Sequence, residues 1–540
     1  MVRTYSDSHE QSIPRPRTGL WRDRFTKPHS YAVLVSMDPR TPVLVGVGQV
    51  TRRPDLATPL IERAEPVDLM TEAIGAAAAD CGPAGAGGRL LRKTGSLVVI
   101  ETFSWPYVNP GLLISERFEM EPTEVAYTTT GGNGPQQVIN RAAMAIAAGD
   151  LDVAVVTGAE CVYTRMAAQR DPSRPVLSWI RQPSSTPPPL ALGTSRAPAT
   201  EVEEAIGLDR PIHVYPLFEN AIRAAEGRSL EDHQREIAKM WATFSEVAST
   251  NPWAWSPAVR TAEDLRTVDS GNRMIGFPYP KLLNANMQVD QGAALVMCSV
   301  EAARDAGVPS DRWVFPLAGS DANDHWYLSH RADFHSSPAL RLAGRRALDL
   351  AGRCIDEVTH VDLYSCFPAA VEIAAAELGL PIDDPKRSLS LTGGLTFSGG
   401  PGNNYGTHAI ATAANRLRED PGSVGLTNGV GWYLTKHSVG LWSTTPPSSG
   451  YRWESPQAEV DALPQCVPGS GPDTELTVET YTVLYARDGR PELGILACST
   501  PQGSRRWANV SDTDTLTLLT TEEGCGRSAR LRSDGCVDIR

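Results

Sequence analysis

The chain has 540 residues, 41% hydrophobic and 21% charged, with a formal net charge of -13. That length is several times what one small core needs, so two or more folded units are expected, and the composition is that of a soluble globular protein. The acidic balance argues against a nucleic-acid or anionic-membrane partner, and no apolar run approaches the roughly 18 residues of a membrane span, so a cytoplasmic location is expected.

Residues 1–37 are rich in Arg, Ser and Pro and offer only YAVLVS as an apolar stretch. They fail as a secretory signal and are expected to be a disordered extension. Val43 to Val47, with Gly46 and Gly48, reads as a buried strand, Asp68 to Cys81 as an Ala-rich helix, and Ser96 to Phe103 as the next strand. The stretch Tyr127 to Glu160 is the clearest unit. Gly131, Gly132 and Gly134 permit a tight turn, and Pro135 suits the first helical position. Val138, Ile139, Ala142, Ala145 and Ile146 recur at helical spacing, Gly149-Asp150 stops the helix, and Val153 to Val156 is a continuous apolar strand. Free N–H groups at the head of that helix suit an anion or a developing oxyanion.

From about Thr164 to Met287 the composition shifts to Pro, Trp and charged residues, and only His233 to Ser249 is patterned as a helix. The earlier grammar then returns: a helix over Ala339 to Cys354, a strand over Val358 to Tyr364, and Gly402-Asn403-Asn404 leading into a helix from Tyr405 to Leu417. This is a two-fold internal repeat of βαβ type, for which a mostly parallel sheet is expected. After Trp442 the stretch STTPPSSG marks a linker. Leu476 to Ala486, Glu492 to Cys498 and Ala529 to Arg532 then alternate with Asp488-Gly489 and Asp534-Gly535, which fits a small all-β unit of OB-like barrel type. The nine cysteines show no CxxC pair and no zinc spacing, so reduced thiols and no metal site are expected. A Cys525–Cys536 pair is conceivable only in an oxidised tail.

From Pro42 to Trp442 these features resemble the thiolase superfamily, most closely its sterol-carrier-protein and thiolase-like branches. The resemblance implies an α/β fold: a duplicated βαβαβαββ core in five layers, with halves at 38–163 and 288–447. It further implies a loop domain at 164–287 that covers the active site and contributes to CoA and acyl pockets. Type 1 thiolase-like proteins carry an additional C-terminal domain comparable to residues 448–540. Trp241, Trp253 and Trp255 are candidates for an acyl groove, against the plainer reading as subdomain core. Arg181, Arg196, Arg223 and Lys281 are available cations for a nucleotide.

A thiolase brings four loops to one point, and each can be checked in place. The nucleophilic cysteine is replaced by Gly132. Thr128, Thr129 and Thr130 lie close by but read as packing residues rather than as a substitute nucleophile. In the second loop, YSCF, Tyr364 stands where the sterol-carrier branch has His, with Cys366 and Phe367 kept. In the third, Gly400 replaces the activating His, while Asn403, Asn404 and Tyr405 add polar groups that either cap the helix or face a ligand. In the fourth, Gly429 replaces a cysteine. His437 and His408 read as structural.

With all four catalytic side chains changed, thioester-forming chemistry is not expected. The expected function is an acyl-CoA-binding, acetyl-CoA acetyltransferase-like protein of lipid or sterol metabolism with a degenerate site, a CoA thioester as ligand and no covalent cofactor. One alternative is a thiolase-fold retro-aldolase acting on a β-hydroxyacyl-CoA, with Tyr364 and Tyr405 as candidate catalytic groups. The other is a scaffold that recruits a protein partner through the C-terminal barrel. Monomer and homodimer both remain open.

Overall fold

Apolar runs closed by Gly and Pro turns set the strands, and the Ala-rich segments between them become the helices that two sheets enclose. The computed structural model describes residues 37–54, 57–83, 85–469, 475–532 and 537–539. The expected extension, apart from Met37, and Cys536 lie outside them. The first half contains β1 (Pro42–Thr51), α1 (Pro66–Asp80), β2 (Ser96–Val99), β3 (Glu124–Thr128), α2 (Gly134–Ala148) and β4 (Val153–Cys161). The insertion contributes β5 (Leu190–Leu192), α3 (Pro211–Ala225), α4 (Leu230–Thr250) and a hairpin of β6 (Met274–Gly276) and β7 (Tyr279–Pro280). The second half follows as β8 (Asp290–Ser299), β9 (Phe315–Asn323), α5 (Pro338–Ala351), β10 (Val358–Asp362), α6 (Pro368–Leu378), α7 (Tyr405–Glu419), β11 (Val424–Gly431), β12 (Lys436–Ser443) and β13 (Arg452–Glu454). The chain ends in β14 (Glu475–Tyr485), β15 (Pro491–Ser499), β16 (Arg505–Val510), α8 (Thr513–Thr521), β17 (Ser528–Leu531) and β18 (Val537–Ile539).

The first sheet runs β1-β8-β4-β2-β3-β5 and the second β10-β11-β12-β9-β13. Both are mixed: among the described residues three of the five ladders in the first sheet and two of the four in the second are parallel, so antiparallel neighbours are more numerous than the sequence led us to expect. β8 is antiparallel to both β1 and β4, and β12 is antiparallel to both β11 and β9. A strand buried on both faces is apolar throughout whichever way its neighbours run, so the pattern carries no direction. α2 and α7 lie between the sheets and touch strands of both, while α1 and α5 cover the outer faces. The result is five alternating layers, with the small residues Ala142, Ala143, Ala411 and Ala414 packed in the middle. Close helix packing between two sheets leaves no room for larger side chains there.

Two features of the insertion and the tail differ from expectation. The insertion holds two long helices, not one: α3 carries Pro216 inside it, and that proline masks the helical period because it removes a backbone donor. The tail contains β16, α8 and β18 in addition to the expected strands. Its antiparallel sheet runs β16-β15-β14-β17-β18 and is extended by β6 of the insertion through the pairing of Leu484 with Gly276. The curl of this sheet brings β16 close to β18, although no ladder joins them among the described residues. α3 packs on β14, where Asn220 donates to the Tyr481 carbonyl at 2.9 Å and Thr480 donates to the Leu217 carbonyl at 2.6 Å. Among the described residues no helix is long and apolar enough to cross a membrane, and the described cysteines are all free.

Candidate active site

β3 delivers the chain into a turn at residues 129–133, and α2 begins at Gly134 with a proline in its first turn and Asn133 as its N-cap. Gly149 ends the helix with a φ of 87°, the left-handed conformation that glycine adopts without strain. The turn is fixed by Gly134 N–H donating to the Gly131 carbonyl at 2.9 Å and by Gly131 N–H donating to Asn403 Oδ1 at 2.9 Å. Gly132 therefore sits at a rigid helix head, buried from solvent.

Tyr364, just after β10, fills the space above Gly132. A β-carbon at position 132 would stand closer than 3.0 Å to the Tyr364 hydroxyl oxygen and its Cζ, and 2.6 Å from the Val430 carbonyl oxygen. The phenol thus occupies the volume that a cysteine side chain would need. Its backbone N–H is held by Asn428 Oδ1 at 2.8 Å, and its ring packs edge-on against Tyr405 at 5.4 Å. The hydroxyl has no hydrogen-bond partner among the described residues. Burial, with the nearby Cys366 sulfur adding to it, pushes the phenol well above its usual range. At neutral pH it is a hydrogen-bond donor, not a base. Cys366 is also pushed up, to about 12, by burial, which leaves almost no thiolate for attack.

The other positions named from sequence are accounted for individually. The Tyr405 hydroxyl donates to Asp362 Oδ1 at 2.9 Å and meets Thr392 Oγ1 at 2.6 Å. Asp362 also accepts from the amides of Leu391 and Thr392. Tyr405 is thereby committed to holding the β10 end and the third loop together. Asn404 is the N-cap residue of α7 but makes no side-chain bond to the helix backbone, and the side chains of both Asn403 and Asn404 are spent elsewhere. Asn403 binds Gly131 N–H and donates to the Glu101 carbonyl at 3.1 Å, while Asn404 donates to the Gly158 carbonyl at 2.6 Å and accepts from Thr407. Both fasten the third loop to the first half, which explains why two are needed. Gly400 leaves ordinary contact distances to Asn286 and Leu395, whereas a side chain at Gly429 would strike the Asn133 backbone at 2.7 Å. A β-carbon fits at the histidine position in ordinary contact; at the cysteine position it does not.

The residue that sequence reading does not single out is Lys436. It is 5% exposed, and its Nζ donates to the carbonyls of Thr130 at 2.8 Å and Thr194 at 3.0 Å. Burial lowers it to about 8, with Glu101 acting in the opposite direction. A lysine inside the apolar run of the fourth loop was the available signal. Beside it, a cavity of about 370 Å³ is lined by Glu101, Thr128, Thr129, Thr130 and Trp432. A more open groove of about 450 Å³ is lined by Trp105, Arg165, Arg174 and Arg181, with the Arg181 guanidinium 4.8 Å from the Trp105 ring.

Of the other cations, Arg223 is buried and paired with Glu523, and Arg196 stacks on Tyr327. Lys281 is exposed. Trp241 is core, stacked on Phe244 and bonded to Thr396; Trp253 is partly exposed; Trp255 packs on Tyr163. His408 and His437 are both buried, and each has one ring nitrogen held by partners and the other buried without one. His408 bonds Gln49 at 2.8 Å and is pushed down to about 3 by burial, and His437 bonds Ser337 and the Leu434 carbonyl.

With this geometry in hand, residues 456–536 match the family model for the thiolase-like protein type 1 additional C-terminal domain. The chain is similar to a monomeric SCP2-thiolase like protein type 1 from Mycobacterium smegmatis, at 35% identity and a TM-score of 0.78, over 93% of this chain and 99% of that one. It shares its fold with the Ltp2-ChsH2(DUF35) aldolase, at 18% identity and a TM-score of 0.55, over 74% of this chain and 98% of that one. It also shares it with the dimeric peroxisomal thiolase of Saccharomyces cerevisiae, at 12% identity and a TM-score of 0.53, over 76% and 99%. A search of curated proteins found no match.

Proposed function

The chain belongs to the SCP2-thiolase-like proteins of type 1, and on that premise we propose that it binds an acyl-CoA thioester of lipid or sterol metabolism without forming an acyl-enzyme. The observation that carries this reading is the Tyr364 phenol standing where a cysteine at 132 would have to be. The scaffold retains the helix head that favours an oxyanion, but supplies no nucleophile to generate one. The Arg165, Arg174 and Arg181 groove beside Trp105 has the charge and the aromatic face that an adenine nucleotide requires. The cavity at Thr128 to Thr130 has room for the thioester end.

Titration calorimetry with CoA and with short-chain and steroid-sized acyl-CoA thioesters tests the proposal. Saturable binding with no acyl adduct by intact-protein mass spectrometry is expected. An adduct, or no heat at millimolar ligand, refutes it; the second outcome turns attention to a protein partner of the C-terminal domain.

A second reading is favoured by the unpartnered Tyr364 hydroxyl: retro-aldol cleavage of a β-hydroxyacyl-CoA. There the carbon–carbon bond breaks, the hydroxyl proton leaves to a base, and the enolate is reprotonated at carbon. A neutral phenol can hydrogen-bond the enolate oxygen. Cleavage that is lost in Tyr364→Phe while thioester binding persists would favour this reading over simple binding. We also infer a monomer, since β5 occupies the edge of the first sheet beyond β3.

A further inference from the structure

Behind the Cys366 turn, away from Gly132, three helices bring together Glu219 on α3, His233 on α4 and Glu372 on α6. All three are buried, and one ligand atom from each lies within 4.8 Å of the other two. His233 Nε2 contacts Glu219 Oε1, and the Tyr279 hydroxyl donates to Glu219 Oε2. Glu372 Oε2 is buried and has no hydrogen-bond partner among the described residues. Its carboxyl group faces that of Glu219. The set thus offers a cation two carboxyl groups and an imidazole within 4.8 Å of one another, one carboxyl oxygen being buried and unpartnered. Arg228 is not that cation: it is 3.9 Å from Glu372 Oε1 and pairs more closely with Glu226 at 3.0 Å.

We propose that Glu219, His233 and Glu372 form a binding site for a divalent first-row transition-metal ion that clamps α3, α4 and α6 together. Metal–ligand distances of about 2.0–2.2 Å put ligand atoms roughly 3–4 Å apart, so side-chain rotations without backbone movement close the set. Two carboxylate oxygens with one imidazole nitrogen suit Zn²⁺, Mn²⁺, Fe²⁺ or Co²⁺. Tyr279, bonded to the second oxygen of Glu219, orients that ligand from outside.

Arg228 lies 3.5 Å from His233 Nδ1, so in the ion-free site the imidazole proton sits on Nε2, against Glu219. Ion binding would place that proton on Nδ1, with Arg228 keeping the Glu226 pair it already makes at 3.0 Å, and any proton held between the carboxylates leaves to solvent. The three ligands are too far apart in the chain for any metal spacing to be visible in the sequence. Tyr279 also accepts the Ala369 N–H at 3.2 Å and stacks on Phe367 at 5.8 Å. An occupied clamp would therefore stiffen the turn that sets Tyr364 over Gly132.

The test uses the full-length chain, untagged and stripped with EDTA, titrated with Co²⁺ followed by optical absorbance, and then with Zn²⁺ as competitor. One Co²⁺ per chain, displaced by Zn²⁺, is expected, with affinity reduced at least ~10-fold in Glu372→Gln and in His233→Asn. No saturable uptake by the wild-type chain at ~100 μM ion, or equal uptake by folded variants, overturns the proposal. X-ray absorption of the wild-type Co²⁺ complex decides the matter if the variants do not fold: one imidazole with oxygen ligands supports the site, and sulfur or oxygen alone overturns it.

Discussion

Gly132→Cys puts the sulfur back at the head of α2, and the surrounding atoms set its cost. The new β-carbon would meet the Tyr364 phenol closer than 3.0 Å and the Val430 carbonyl at 2.6 Å. Overpacking a rigid core costs about 1–3 kcal/mol, and one of the two obstacles is strand backbone, so a loss of about 3 kcal/mol is expected. Tyr364→Ala alone removes a buried aromatic ring, with an expected loss of about 3–5 kcal/mol. In the double variant the cysteine enters the space vacated by the phenol, and only the Val430 contact remains. The two losses should then fall short of additivity by about 2 kcal/mol. Urea unfolding of the wild type, both single variants and the double variant measures this coupling. Additivity within about 0.5 kcal/mol would refute the argument that Tyr364 replaces the cysteine volume.

Lys436 is lowered from 10.5 to about 8 in the folded chain. Between these values the unfolded chain binds the extra proton, so stability should rise with pH across that window, and below about 8 the cost of burying the charge is fully present. Lys436→Met should remove roughly 1–3 kcal/mol of that rise in denaturation measured from pH 7.5 to 10.5. An unchanged slope would refute the burial argument. His408 is held neutral down to about 3 against an ordinary 6.5, so protonation of the unfolded chain should erode stability as pH falls from about 6.5 toward 3. His408→Leu should flatten that acid limb by roughly 3–5 kcal/mol, read as the difference between the two pH profiles. Ala191→Pro disturbs the β5 ladder on β3 and should expose a sheet edge, giving concentration-dependent association by light scattering. A variant that stays as monodisperse as the wild type would mean that β5 does not guard that edge.

The unit around α2 was legible because its signals are local: glycines for the turn, a proline at the helix start, Gly149 at its end and a 3.6-residue period between. The five-layer core followed from the resemblance and from Ala-rich helices. What escaped depended on contacts between distant residues. Pro216 disguised α3, and β8 lies between β1 and β4 although nothing in its apolar run gives its direction. The loss of four side chains could be read from Gly132, Tyr364, Gly400 and Gly429, but not which space was filled, since the Tyr364 phenol and the Gly132 α-carbon come from opposite halves. Asn403 and Asn404 carried a polar signal with two meanings, and only their partners on Gly131, Glu101 and Gly158 decide for fastening.

Among the described residues the one strand that forms a ladder with β1 is β8, a lone bridge from Leu44 to Val314 apart, and β8 fills the gap between β1 and β4 in the first sheet. During synthesis at about 5–20 residues per second, the first sheet cannot close until residue 299 has emerged from the ribosome. The hairpin of β6 and β7 waits longer still, for β14 beyond residue 475. The nascent chain therefore leaves the edges of β1 and β4 that β8 will pair open for many seconds, a span in which a chaperone that shields unpaired strands would act on it. It also follows that cutting at the boundary between the two halves yields a fragment with an unpartnered first strand, so soluble expression of residues 38–163 alone should fail.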